Sequence, residues 1–121
     1  MPLYNERSIR KVLSALYQNN ELLISGEYPF RLNDFVLKKY KAIYSALYNL
    51  YSLGNSNIDI SDITGYFQQQ VSIYSKFVED GGMDALYEIC NDTTSLNFEY
   101  NYSLMKKYAL LTDLQQAGID V

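Results

Sequence analysis

The chain has 121 residues, 48% of them hydrophobic and 20% charged, which suits one folded core and excludes a disordered segment. Fourteen acidic and ten basic side chains leave a net charge of −4, and no histidine is present. A general nucleic-acid binder and His-dependent catalysis are therefore disfavoured from the outset, along with the commonest type of metal ligand.

In chain order, Asn5 is placed to cap a first helix running to about Gln18, with Ile9, Val12, Leu13 and Leu16 on one stripe and Arg7, Arg10, Lys11 and Ser14 off it. Asn19-Asn20 ends that helix, Glu21 to Ile24 reads as a short helical turn, and Ser25 to Arg31, with Gly26 and Pro29, as a loop. Both prolines, Pro2 and Pro29, precede this point, so the remainder contains no obligatory helix breaker and an all-α fold is expected. The clearest helix is expected from Asn33 or Asp34 to Gly54. Val36, Leu37, Tyr40, Ile43, Tyr44, Leu47, Tyr48, Leu50 and Tyr51 then cover a sector roughly 160° wide, opposite Lys38, Lys41, Ser45, Asn49 and Ser52. Tyr40, Tyr44 and Tyr51 are expected to place their rings in the core.

Asn55 to Ile60 reads as a turn, and Ser61 or Asp62 as the cap of a helix reaching Gln70; whether it continues to Val78 is left open by the pattern. Asp80-Gly81-Gly82 is a stop, Met83 to Asn91 another helix, and Asp92 to Ser95 a loop. Asn97 is placed to cap a long last helix to Ala117, closed by Gly118. In that helix Phe98, Tyr102, Met105 and Ala109 form a stripe broken by Thr112 and Gln116, while Leu110, Leu114 and Ala117 form a second, rotated one. The first is expected to pack on the domain. The second, with neighbouring Leu111, is the candidate interface for a partner.

The search for chemistry is negative. Cys90 is a lone cysteine in a helix, which fits a small core residue and a cytoplasmic protein without disulfides. No Gly-x-x-x-x-Gly-Lys-Ser/Thr loop occurs, and Gly81-Gly82 is followed by Met83 and Asp84. Asp59 with Asp62 and Asp80 with Asp84 lack calcium-loop spacing and fit helix caps. No catalytic, cofactor-binding or metal-binding residue is assigned. Neither a secretory signal nor an apolar run of membrane-spanning length is seen. Residues 1–53 carry seven basic and four acidic side chains, and residues 54–121 carry three basic and ten acidic. DNA binding is therefore expected to be weak and salt-sensitive, resting on Arg7, Arg10, Lys11, Lys38, Lys39 and Lys41. The lysines beside Tyr40 and Tyr44 resemble a basic-aromatic nucleic-acid surface, but the tyrosines fall on the apolar stripe and the cluster fits an amphipathic helix better.

Six short segments in one order resemble the N-terminal domain of DnaB-type replicative helicases. Val12-Leu13-Ser14-Ala15-Leu16 is similar to that family's Val-Leu-Gly-x-Leu, and Asn33-Asp34-Phe35 to its Asp-Phe entry into a long helix. Ile43-Tyr44-Ser45-Ala46-Leu47 with Leu50, then Gly54 and Ile58-Asp59, follow the family's next two steps. Gly81-Gly82-Met83-Asp84-Ala85-Leu86 looks like its Gly-Gly-x-x-Tyr-Leu, and Asn97 to Tyr100 with Leu110-Leu111, Leu114, Ala117 and Gly118 lie in the register of its final helix. Ser14 stands where the family has Gly, Thr112 where it usually has Arg, and Asn101-Tyr102 where it has Tyr-Ala. These departures suggest a divergent member encoded by a phage or mobile element.

The resemblance implies a compact bundle of five or six helices whose long C-terminal helix begins a helical hairpin. Residues 1–97 form the globular part and residues 98–121 the first arm. It implies further that the chain is an excised domain, with the RecA-like ATPase, its ATP and its magnesium belonging to a part not present here. The function expected is that of a collar and docking domain: self-association as a dimer and within a hexamer, and contact with primase or a helicase loader. DNA is then met mainly through the missing domain. The alternative is a free-standing helical phage or bacterial regulator that binds a replication protein; a Walker loop encoded beyond Val121 would separate the two. A helix-turn-helix DNA-binding protein ranks third because no basic recognition helix is evident.

Overall fold

The computed structural model describes residues 4–92 and 97–118, and among these the regular structure is entirely helical. Six α-helices follow one another: α1 (Glu6–Gln18), α2 (Lys38–Ser52), α3 (Ile60–Gln68), α4 (Val71–Glu79), α5 (Gly82–Asn91) and α6 (Phe98–Gln116). Two 3-10 turns, Asn20–Ile24 and Leu32–Phe35, punctuate the segment between α1 and α2.

Helix α1 starts where Asn5 Oδ1 accepts the Ser8 N–H at 2.9 Å, satisfying one of the free donors of the first turn. Its apolar stripe is the axis of the core: Val12, Leu13 and Leu16 are fully buried, with α6 and α5 packed along it and α2 beyond. Ser14 is buried too, and its hydroxyl donates to the Ile89 carbonyl at 3.0 Å, tying α1 to α5. Asn20 ends the helix by donating to the Leu16 and Tyr17 carbonyls, and its Oδ1 accepts the Ile58 N–H from the α2–α3 loop.

The single helix expected from Asn33 or Asp34 to Gly54 is two elements. A 3-10 turn over Leu32–Phe35 ends at Val36, whose φ of 60° and ψ of −62° leave the helical region. The Leu37 N–H there donates to the Phe35 carbonyl, closing a three-residue turn, and α2 begins only at Lys38. A β-branched residue at positive φ is strained by about 1–3 kcal/mol, so tertiary contacts hold it. Tyr40, Ile43, Tyr44, Ala46 and Leu47 make up the buried face, while Tyr48 is exposed and Leu50 and Tyr51 are half-buried. Tyr40 and Tyr44 thus occupy the core as expected, and Tyr51 only borders it. The Tyr40 hydroxyl donates to Glu6 at 2.5 Å, and burial first, then that hydrogen bond, raises its pKa well above the ordinary tyrosine value.

Residues 61–78 form parts of two helices, because Gln70 takes an extended φ of −126° and ψ of 80° between α3 and α4. The cap of α3 is Asp59, ahead of the positions expected. Asp59 Oδ1 accepts the Asp62 N–H, and Asp62 Oδ2 accepts the Asp59 N–H, each at 3.0 Å. The two donations from Asp59 N–H and Asn55 Nδ2 hold the Asp62 carboxyl below its usual range. Gly81, at φ 80°, turns the chain into α5. Gly82 serves packing: a Cβ there would lie 2.4 Å from the Phe77 ring, which itself stacks on Phe67. The loop expected from Asp92 to Ser95 lies outside the described residues except for Asp92, which ends α5. Asn97 precedes α6 as expected but in the left-handed region, φ 66°, without a side-chain cap; its carbonyl accepts from Asn101 instead. Gly118 closes α6 at φ 82°.

Tyr44 stacks on Phe35 at 4.6 Å between ring centres and is almost completely enclosed, whereas Tyr100 stands 65% exposed on α6. Tyr44→Ala is expected to cost ~3 kcal/mol or more, and Tyr100→Ala no more than about 0.5 kcal/mol. Urea-unfolding midpoints of the two variants against the parent measure both.

Candidate functional site

Helix α6 carries the candidate interface, and its inner face shows how it is held. Asn101, Met105, Ala109 and Thr112 recur at successive turns and are all buried, against α1 and the 3-10 turn before α2. Thr112 therefore continues the packed stripe, 6% exposed, where the sequence pattern read an interruption. Small or uncharged side chains at these points let two helices approach closely, and the hydropathy pattern does not register that.

Charge secures α6 along the edge of that face. Asp34 is fully buried, yet its Oδ2 accepts the Arg31 N–H at 2.8 Å and contacts the Lys106 ammonium from α6. Arg31 Nη2 lies 3.5 Å from the other Asp34 oxygen and donates to Asp113, two helical turns beyond Lys106 on α6, at 2.8 Å. Asp113 is the first cause of the raised Arg31 pKa, which leaves that guanidinium charged at any physiological pH. The loop before Arg31 is laid onto α6 by Tyr28, which donates to Glu99 at 2.7 Å, and by the Pro29 carbonyl, which accepts the Tyr102 hydroxyl at 2.6 Å. Rings of Tyr28, Phe30 and Phe98 meet Tyr102 edge-on or tilted, extending the aromatic file from Phe35 and Tyr44 across to α6.

With its inner face engaged, α6 presents a second apolar face outward. Leu110 is 58% exposed, Ala117 is exposed, and Leu111 and Leu114 are half-covered by the domain. Tyr100 is open at the opposite end of the helix. Leu110, Leu114 and Ala117 thus share one flank with Leu111 at its edge, and Leu110 is the most open of the three leucines. Sequence reasoning missed Asp34, Arg31 and Lys106: a pair separated by 72 positions leaves no periodic trace.

Cys90 is partly enclosed, and burial, first, pushes its thiol up to about 11, so the nucleophilic thiolate is scarce at neutral pH. Among the described residues no three His, Cys, Asp or Glu side chains are grouped to hold a metal, and no helix is long and apolar enough to cross a membrane. Several cations named for DNA contact already face carboxylates: Arg10 meets Glu6 and Glu88, Lys11 meets Asp92 at 2.8 Å, and Lys39 lies 3.8 Å from Glu6.

The DnaB-like helicase N terminal domain family matches the chain over residues 1–107, a stretch that ends within α6 just before Leu110. The chain is also similar to the SPbeta prophage-derived uncharacterized protein YorI of Bacillus subtilis (strain 168), with 25% identity over 120 residues. That alignment takes in 98% of this chain and 24% of the relative, so the chain spans about a quarter of the relative's length. No solved structure matches it.

Removing one partner of a buried ion pair leaves an uncompensated charge, and Lys106 is itself partly exposed, which moderates the loss. Lys106→Met is expected to destabilise the domain by about 1–3 kcal/mol. Adding Asp34→Asn to it should restore part of that loss. Chemical denaturation of the single and double variants reads the sign, and a double variant weaker than the single would refute the assigned pairing.

Proposed function

This chain belongs to the DnaB-like helicase N-terminal domain family, and from that premise we propose that it acts as the collar and docking domain of a replicative DNA helicase. The observation that supports this reading is the two-faced character of α6. One face is engaged by α1 and the Asp34 turn, and the other offers Leu110, Leu111, Leu114 and Ala117 at helical spacing. A helix apolar on both sides is ordinarily sandwiched between two layers, and the domain supplies one. A second copy supplies the other: α6 is the first arm of a helical hairpin through which neighbouring subunits pair, as a dimer and then within a hexamer. Primase or a helicase loader docks on the collar so formed, in the cytoplasm.

The chemistry of unwinding belongs to the ATPase domain of such helicases, together with its ATP and magnesium. This sequence has no phosphate-binding loop, and its own contribution is geometric. It sets how subunits meet above the ring and what they recruit. Acidic side chains dominate residues 54–121, so single-stranded DNA is held chiefly by the ATPase ring.

Sedimentation across a concentration series tests the interface. The parent should dimerise, and Leu110→Glu/Leu114→Glu should weaken dimerisation by more than about tenfold, since each tenfold corresponds to only about 1.4 kcal/mol. Circular dichroism should remain unchanged, because Leu110 is exposed and Leu114 stands at the boundary rather than in the core. A parent that is monomeric throughout, or a double variant that associates equally well, would remove α6 as the interface.

A further inference from the structure

Between the first turn of α2 and the length of α4 lies a cleft of about 270 Å³. Its floor is apolar, formed by Ala42, Ile73 and Phe77, and Lys38, Lys39 and Lys76 stand around it. Ile73 is nearly half exposed, so the floor is open to a visitor. Other concavities differ in kind. The groove between α1 and α5 is lined by Arg10, Glu88 and Asp92, which already take part in ion pairs, and that beside Tyr17 and Tyr51 is mainly neutral and polar.

We propose that the α2–α4 cleft receives the apolar face of an acidic amphipathic helix from a partner protein. An apolar floor selects apolar side chains, and a lysine rim selects carboxylates flanking them, which is the pattern of helix-in-groove recognition. The charge on the rim is available. Lys38 makes no ion pair with any described residue, Lys39 lies 3.8 Å from Glu6, and Lys76 lies 3.4 Å from Asp80 on an exposed helix turn. Surface pairs of that length contribute little and exchange partners readily. Two of the rim lysines, Lys38 and Lys39, also oppose the local helix field, whereas Lys76 lies in the last turn of α4, where a cation is favoured. No acidic residue occupies the first turn of α2, and Leu37 offers no side-chain cap. Lysines at the positive end of a helix are unfavourable until an outside anion joins them. Three cations against Asp80 alone stand here on a chain whose net charge is −4. A phosphate backbone has no apolar face to fill the floor of Ala42, Ile73 and Phe77, so a protein helix fits better than nucleic acid.

This inference rests on the reading of the domain as a docking module, but it uses a surface formed by α2 and α4 rather than by α6. The test is fluorescence anisotropy on the whole chain. The probe is a labelled helical peptide about 16 residues long, long enough to hold helix on a surface, with Leu and Phe at i, i+3, i+4 and i+7 and Glu flanking them. Its twin carries Lys in place of every Glu. The acidic peptide should bind and weaken as salt rises, and the basic twin should not bind. Lys38→Glu/Lys76→Glu should lower affinity by more than about tenfold, and so should Ile73→Asp, with melting temperature checked for each. Where the charge reversals disturb folding, Lys38→Ala/Lys76→Ala should still lower affinity severalfold. Leu110→Glu/Leu114→Glu should leave peptide binding unchanged, so that loss of self-association and loss of peptide binding are read separately. Equal binding of both twins, binding indifferent to the cleft variants, or no binding would overturn the proposal. Labelled oligo-dT lost by the same variants would make the cleft a nucleic-acid site, and self-association lost by them would make the occupant a second copy; either result also overturns it.

Discussion

A carboxylate shut away from water must be met by opposite charge and by hydrogen bonds, because burying it alone is prohibitively unfavourable. Asp34 is in that position, and every group that answers it comes from an element that must then stay in place: the Arg31 N–H and guanidinium from the chain before α2, and Lys106 from α6. Arg31 passes the constraint on to Asp113. The carboxylate therefore fixes the 3-10 turn, the strained Val36 that follows it, the point at which α2 begins, and the rotation of α6 about its own axis.

That rotation decides which residues of α6 remain outside. With Lys106 directed at Asp34, the face of Asn101, Met105, Ala109 and Thr112 must lie on α1. Leu110 and Ala117 are then left in solvent, while Leu111 and Leu114 sit at the boundary. A helix used in this way holds apolar groups on both sides, so it has no single dominant stripe. Folding thus draws on one face of this element and leaves apolar groups on another open.

The start of α2 has a comparable consequence. Had the helix begun at Asn33 or Asp34, an acid would have occupied its first turn and the lysines would have fallen inside it. The break at Val36 makes Lys38 and Lys39 the opening residues and sets them beside α4, across an apolar floor. Arg10, Lys11, Arg31 and Lys106 are directed at carboxylates of other elements, Arg10 at Glu88 and Lys11 at Asp92 among them. An acidic chain thereby keeps a basic rim at one place on its surface.

Local and periodic information was enough for much of this. The cap at Asn5, the stripe of Ile9, Val12, Leu13 and Leu16, the turn at Gly81-Gly82 and the stop at Gly118 are written in neighbouring residues, and the all-helical fold and the family follow from their order. The second apolar stripe of α6 was legible for the same reason: i, i+4 and i+7 spacing needs no knowledge of the rest of the chain. The division of the long helix at Val36, the role of Gly82 as room for Phe77, the burial of Thr112 and the pairing of Asp34 with Lys106 were decided only in three dimensions. Each depends on a group far away in sequence. Propensity and periodicity sum over near neighbours, whereas a buried charge or a ring needing space is answered by whatever the folded chain brings beside it.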